Sequence, residues 1–522
     1  MTFVLSTDFW RALLRDPQVL SPYAFVQLLP ALLVLGQLLV SSGRALRKIS
    51  FASYSLSFHS RYAANVSFMT NAVGVIGNGY DKFQEKAFQF LRSDADIIVL
   101  PPSAVQELST LPPNIADGTK ALEHDLMGPY TGLNFILQSR LHHRIVQRKL
   151  TPNLGLLTPH LEDELAKAVE DLFPEGANHG WTEVELYPLL LSITARTSAR
   201  AFVGTSFCRD SRWLNSAVNF VEDLFRTVVI LRAFPSWLHP VVCVFVPSYW
   251  RGKGYFRSAR QVLGPYIQER LDAMDQGKEL REAFLEPSAL NWLVDIAEGD
   301  ERNLARLAHT ETVLSLAGIH TMLLRQLSVI YDLTAHPEYL EGLRAEIADL
   351  SGQWSKASYG QLRKLDSFMR ESQRLAPPTV LGLKRIMQQP YTLQDGTLLP
   401  KGAYVCVAAY AIENDPRIYP EPEKFDGLRS FVKGDGIDSN KHTFAATDTT
   451  VLGFGHGKTA CPGRFFASLV IKMSVIKLIT EYEFEFLPGK GRPKNWIAHE
   501  FLFASPWDRI RMRKREVGTC PF

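Results

Sequence analysis

Hydrophobic and polar positions along the chain follow three kinds of pattern. The first is an uncharged run over residues 23–40, reading YAFVQLLPALLVLGQLLV. As a helix it would reach about 27 Å at roughly 1.5 Å per residue, close to the hydrocarbon thickness of an endoplasmic-reticulum bilayer. It is expected to form a transmembrane anchor. Phe9, Trp10, Leu13 and Leu14 make residues 1–22 an interfacial segment, and the Ser-rich, basic residues 41–60 read as a linker. Arg44, Arg47 and Lys48 follow the run, a bias that leaves the bulk of the chain in the cytosol. The competing readings are a buried core helix and a cleaved signal peptide, the latter opposed by Asp8 and Asp16 in the long preceding stretch.

The second pattern is helical. Residues 304–335, 339–350 and 465–479 carry long helical repeats of apolar positions. The third is short and strand-like. Ile97 to Leu100 precede Pro101-Pro102, Tyr391 to Asp395 run into a turn at Gly396, and Tyr404 opens an apolar strand through Ala408. Residues 435–450 are polar and loop-like. Residues 224–249 are unusually apolar, but Arg226, Arg232, Pro235, His239 and Pro240 interrupt them. Core packing, or a patch touching lipid, fits them better than a second span. From 61 to 522 no repeat or break in composition appears, so a single, mostly α domain with minor β sheets is expected.

Composition narrows the class. Of 522 residues, 46% are hydrophobic and 21% charged, and 31 are Phe, which describes a globular chain with a large apolar interior. A net charge of +3 leaves no nucleic-acid footprint. The five cysteines are scattered and form no CxxC pair, so neither a disulfide framework nor a zinc site is indicated.

One cysteine stands in a setting that points to chemistry. Gly453-Phe-Gly-His-Gly457-Lys-Thr459-Ala-Cys461-Pro-Gly463-Arg-Phe-Phe-Ala467 puts it in a Gly-rich loop just before an apolar helix. Inward backbone N–H groups and a helix start favour a thiolate, and glycines let a backbone approach a flat cofactor closely. The loop resembles the haem-binding loop of the cytochrome P-450 haem-thiolate monooxygenases. The resemblance implies the cytochrome P-450 fold behind one N-terminal transmembrane helix. It also implies haem b with its iron ligated by Cys461, in a cradle shaped by Phe454, Gly457 and Gly463. Thr459 departs from the family, which usually has Arg or His there for a haem propionate.

Other segments match the family in order along the chain. Glu371-Ser-Gln-Arg374 puts an acid and a base one helical turn apart. The spacing alone says little, since Glu341 and Arg344 share it, but its place ahead of Pro377-Pro378 resembles the family's buried Glu–Arg pair, whose network Arg429 would complete. Arg385 matches an arginine that meets a haem propionate. In the segment from His142 to Leu154, His143 falls where Trp is common and Gln147 where Arg is common, with Arg148 the nearest cation. Ala317-Gly318-Ile319-His320-Thr321 resembles the oxygen-side motif. Gly318 would leave room for dioxygen and Thr321 would relay protons, while His320 stands where an acid is usual and can itself relay protons near neutral pH. Thr379, Val380, Phe501 and Phe503 are the substrate-side candidates.

The resemblance covers residues 60–515 and looks like filamentous-fungal members of secondary metabolism. It implies electrons from NADPH through a separate cytochrome reductase, docked on a basic face of Arg144, Arg148, Lys149, Lys458, Arg464 and Lys472. It further implies O2 as oxidant and a small apolar substrate, a terpenoid or related metabolite. The enzyme would sit in membrane lipid of the endoplasmic reticulum as a single-pass protein, with the catalytic domain in the cytosol. The competing readings are a haem-thiolate isomerase or dehydratase that needs no external oxygen, which Thr321 argues against, and a non-catalytic haem-binding membrane protein.

Overall fold

The computed structural model describes residues 50–51, 58–92, 94–431 and 441–522. The anchor and interfacial segment expected over residues 1–40 therefore lie outside the described residues. Of the stretch read as a linker, Ser50–Phe51 already pairs with Phe88 and Gln89, and a helix begins at Phe58.

Helices dominate, and a mixed sheet lies to one side. Its six strands run in the order Ser50–Phe51, Phe88–Leu91, Asp96–Leu100, Tyr404–Val407, Gly382–Met387, Ala116–Asp117. The expected strands at 97–100 and 404–408 are its centre, paired parallel from Ile97↔Tyr404 to Leu100↔Val407. Both are buried on both faces, which is why they read as continuous apolar runs rather than alternating ones. Tyr391–Thr392 pairs with Leu398–Leu399 around the turn at Gly396, whose φ of +85° suits glycine.

The main core gathers the helices Leu154–Leu172, Leu186–Val203, His320–Ala335 and Arg464–Glu481. A second core lies under the sheet, and a third joins the helix Ser211–Leu231 to the turns after it. The 304–335 segment is two helices, Leu304–Gly318 and His320–Ala335, broken at Ile319 with φ −97° and ψ −69°. By length and composition this segment could cross a bilayer, but its apolar stretch is mostly buried inside the domain. Residues 224–249 hold no straight span. The 211–231 helix ends and the chain bends by 120° into short turns before the helix Pro247–Asp275.

Candidate active site

The loop around Cys461 is built by backbone geometry. Phe454 O accepts from Cys461 N at 2.8 Å, and a 3-10 turn over Gly457–Thr459 leads into the sulfur position. Gly457 has φ +67°, and a Cβ there would lie 2.7 Å from the Ser109 carbonyl, so only glycine fits. At Gly463 a Cβ would sit 4.0 Å from Cys461 Sγ, so glycine leaves the sulfur's flank open. The Phe454 ring packs edge-on against Phe444 at 5.2 Å. Cys461 itself is exposed within this cradle. Crowding of the sulfur by its own loop strips water from the charged form and raises the thiol pKa, opposed by the backbone N–H groups of Gly463 and Arg464 and by the Arg464 charge. Such a thiol needs a cation at sulfur to ionise fully, and a coordinated metal supplies one.

Arg385 tests whether a haem fits. It is 3% exposed, its Nε has no partner, and no carboxylate among the described residues lies within ion-pair distance of it. One Nη donates to the Lys384 carbonyl at 2.8 Å and the other to the Thr459 hydroxyl. Burial pulls its pKa down to about 10. A buried, incompletely paired guanidinium beside the cysteine loop is costly without an anion, and a haem propionate would supply that anion. Thr459, which stands where the family usually has Arg or His, therefore presents its hydroxyl to the Arg385 guanidinium.

Opposite chemistry lies on the broken helix. Ala317 and Thr321, one turn apart, are exposed while nearly all their helical neighbours are buried. Thr321 Oγ1 donates to Ala317 O at 2.5 Å. The gap expected at Gly318 is instead closed: a Cβ there would lie 2.5 Å from the Phe202 ring, and Ser198 donates to the Gly318 carbonyl at 3.4 Å. Gly318 thus seats the helix against the 186–203 helix, and the opening falls at Ala317. His320 is 7% exposed, and neither ring nitrogen has a hydrogen-bond partner among the described residues.

The Glu371–Arg374 pair sits on the helix Arg363–Leu375, bidentate at 2.8 Å for both bonds. Arg429 Nε reaches the same carboxylate at 3.1 Å while its other nitrogens bond the carbonyls of Pro420, Glu421 and Lys424. Arg374 continues to Asn414 and the Pro422 carbonyl, so the trio pins the segment approaching the cysteine loop to that helix.

The remaining residues separate. His143 lies on the helix Leu141–Ile145, and burial together with the Arg140 charge lowers its pKa, which leaves it a neutral donor at pH 7. Val146, against Gly463, begins a π-helical turn that carries Arg148 on the opposite side, exposed. Thr379 bridges Phe501, whereas Val380 is 1% exposed and buried in the sheet-side core. Phe501 and Phe503 pack edge-on against Phe225 of the 211–231 helix. Two cations leave the expected docking face. Lys472 is buried, paired with Asp366 at 2.8 Å, and Arg144 pairs with Glu301.

Sequence reading missed a buried ion cluster behind Phe501. Arg92, Arg232 and Lys384 interleave with Asp94, Asp125 and Glu500 at 2.6–3.1 Å. Arg232 and Lys384 each lie 5.3 Å from the Phe501 ring centroid.

The family model described as Cytochrome P450 matches residues 97–511. The chain is 38% identical over 475 residues to "Cytochrome P450 monooxygenase AN1598" of Emericella nidulans, spanning 90% of this chain and 88% of the relative. It is 34% identical over 484 residues to "Ent-kaurene oxidase P450-4" of Gibberella fujikuroi, spanning 92% and 95%. The solved structure of the retinoic acid bound cyanobacterial CYP120A1 shares the fold at a TM-score of 0.65 and 22% identity, covering 86% of this chain and 96% of that one. With the cysteine loop, the Glu371–Arg374–Arg429 network and these likenesses together, the chain belongs to the cytochrome P450 family and is a haem-thiolate monooxygenase.

Proposed function

We propose that this enzyme oxidises a terpenoid or related fungal secondary metabolite, with Cys461 ligating the iron of haem b and electrons arriving from NADPH through a cytochrome reductase. The observation that carries the reading is the pairing of an open, glycine-flanked Cys461 with a buried Arg385 that has no carboxylate partner among the described residues. Support for the substrate class comes from the name of the Gibberella relative, an ent-kaurene oxidase, and from the aromatic wall of Phe225, Phe501 and Phe503. When bound, the haem supplies the redox chemistry that places one atom of O2 in the substrate and reduces the other to water.

The protein supplies position, dryness and protons. Arg385 and Thr459 offer donors for a propionate, and His143 a neutral one. Phe501 and Phe503 present an apolar face that holds a hydrocarbon skeleton and excludes water. Insertion of one oxygen atom consumes two protons, and Thr321 Oγ1, exposed at the helix break, can accept and donate in turn. In Thr321→Val the volume stays and the relay is lost. With reductase, NADPH and a panel of terpenoids, product formed per NADPH consumed should fall by about a hundredfold, with hydrogen peroxide rising. Wild-type coupling in that variant would reduce Thr321 to packing and favour an oxygen-independent isomerase.

The same reading places the enzyme on the endoplasmic reticulum by residues 23–40, with a second contact of its own. Trp237, Val241, Val244, Phe245 and Trp250 are 42–59% exposed within one short stretch. Lys253 stacks on Tyr249 and Trp250, at 4.2 and 5.1 Å from the ring centroids. Aromatic and aliphatic tips beside a cation suit the headgroup boundary of a bilayer. A chain lacking residues 1–40 should still co-sediment with phospholipid vesicles, and Phe245→Glu with Trp250→Glu should release it without loss of haem. A truncated form that stays in the supernatant from the outset would remove this patch from the membrane surface.

A further inference from the structure

His320 stands where its family usually has a carboxylic acid, and a carboxylate from another helix lies beside it. Glu222, on the neighbouring 211–231 helix, places Oε1 3.9 Å from His320 Nε2. That separation is an ion-pair distance, too long for a direct hydrogen bond. The two side chains differ in access: His320 is 9% exposed and Glu222 28%. The carboxylate thus spans from solvent to a buried imidazole beside the helix break. A histidine held only for packing would have a ring nitrogen bonded to a neighbour, and among the described residues neither nitrogen has one.

We propose that Glu222 is the positioning acid of the proton relay, passing solvent protons to His320, which hands them on toward Thr321. The acid of the motif is thereby split between two helices, with the imidazole on one and the carboxylate on the other. This rests on the monooxygenase reading above. The step is balanced: Glu222 Oε1 takes a proton from solvent and yields it to His320 Nε2, through a small side-chain movement or one water. The ring then releases the proton on Nδ1 and returns to neutrality. Other charges facing this pair come from the same helix and from the helix packed beside it. Arg226 Nη2 donates to the other Glu222 oxygen at 3.1 Å, Asp223 holds Arg226 at 2.9 Å, and the buried Tyr187 hydroxyl feels the Glu222 charge. Burial raises the Glu222 pKa, but the facing His320 ring and the Arg226 guanidinium outweigh it and leave the carboxyl below its ordinary value. It is ionised at pH 7 and ready to accept.

The test uses the full-length holoenzyme in its ferrous carbon-monoxide form, which is diamagnetic, with 13C-labelled histidine. In Glu222→Gln the 13C resonance of the His320 ring should move at pH 7, because the carboxylate facing its Nε2 is gone. Coupling of NADPH to product should fall several-fold at pH 7, with the loss growing as pH rises and free protons become scarce. Glu222→Asp should restore part of both. Gln matches Glu in shape, and Arg226 keeps Asp223, so the variant should fold with an unchanged thiolate-type spectrum. An unmoved His320 resonance with wild-type coupling, in a protein that keeps that spectrum, would overturn the relay while leaving the monooxygenase reading intact. Absence of a thiolate-type spectrum in wild type would instead remove the reading on which the relay rests.

Discussion

Cys461→Ser is expected to abolish monooxygenation and to remove the thiolate-type Soret band of the reduced, carbon-monoxide-bound protein. Serine oxygen is a hard donor that stays protonated near neutral pH, so the electron push of a thiolate on the iron is lost. Fold stability should barely change. The cysteine is exposed in its cradle, and the bond from its backbone N–H to Phe454 O does not involve the side chain. No other thiol can substitute. Cys208, Cys243 and Cys406 are buried, and burial pushes Cys208 up to about 11 and Cys406 above the usual thiol range. Cys520 is likewise raised to about 11 by burial. The variant's reduced carbon-monoxide spectrum decides the matter: an unchanged Soret band would sink the ligand assignment.

What the sequence made legible follows from how local each constraint is. The cysteine loop is contiguous, and its glycines are dictated by backbone conformation and close approach, so it stands out from residues alone. Glu371 and Arg374 share one helical turn, and Arg429 sits in a segment that must return to them. Helix and strand positions at 97–100, 340–350 and 464–481 were legible because their apolar periods are strong. The oxygen-side helix was legible only in outline. Its break at Ile319 leaves no mark in the apolar repeat, and the role of Gly318 depends on Phe202, a ring from another helix. Lys472 looked like a surface cation because pairing with Asp366 across the fold has no sequence signature. Least visible was the ion cluster. Its members are as much as 408 residues apart, Arg92 to Glu500, and each alone resembles an ordinary surface charge. Only the fold makes them neighbours.

That cluster carries the second large effect. Arg232 caps the 211–231 helix, fully buried, and bonds Glu500 at 2.9 Å, Asp125 Oδ1 at 3.1 Å and the Asp125 carbonyl at 2.8 Å. Lys384 and Arg92 bond the same two carboxylates, and Tyr404 donates to Asp125 at 2.8 Å. Arg92, Arg232 and Lys384 balance Asp94, Asp125 and Glu500, with the His124 ring 3.9 Å from Asp94 and Asp125 at the rim, so replacing Arg232 by Met leaves one buried carboxylate without its cation. Breaking a buried pair from one side typically costs about 3–5 kcal/mol. Arg232→Met should therefore unfold at markedly lower denaturant or temperature than wild type, and Phe501 should lose one of the two cations beside its ring. The pH dependence distinguishes charge from lost packing. Burial pulls the carboxyls up, but the Arg232, Lys384 and Arg92 charges outweigh it and hold Glu500 and Asp125 below their ordinary range. Depressed carboxylates contribute stability that is full above their unfolded pKa, near 4, and is lost as pH falls below it. In Arg232→Met that depression weakens, so a proton can neutralise the surplus charge at a higher pH than in wild type. The stability gap between variant and wild type should be widest at pH 7 and narrow toward pH 4. Adding Glu500→Gln to Arg232→Met restores neutrality and should recover a large part of the loss at pH 7. A gap that stays constant from pH 7 to pH 4, unrelieved by Glu500→Gln, would mean that Arg232 acts through its bulk and not its charge.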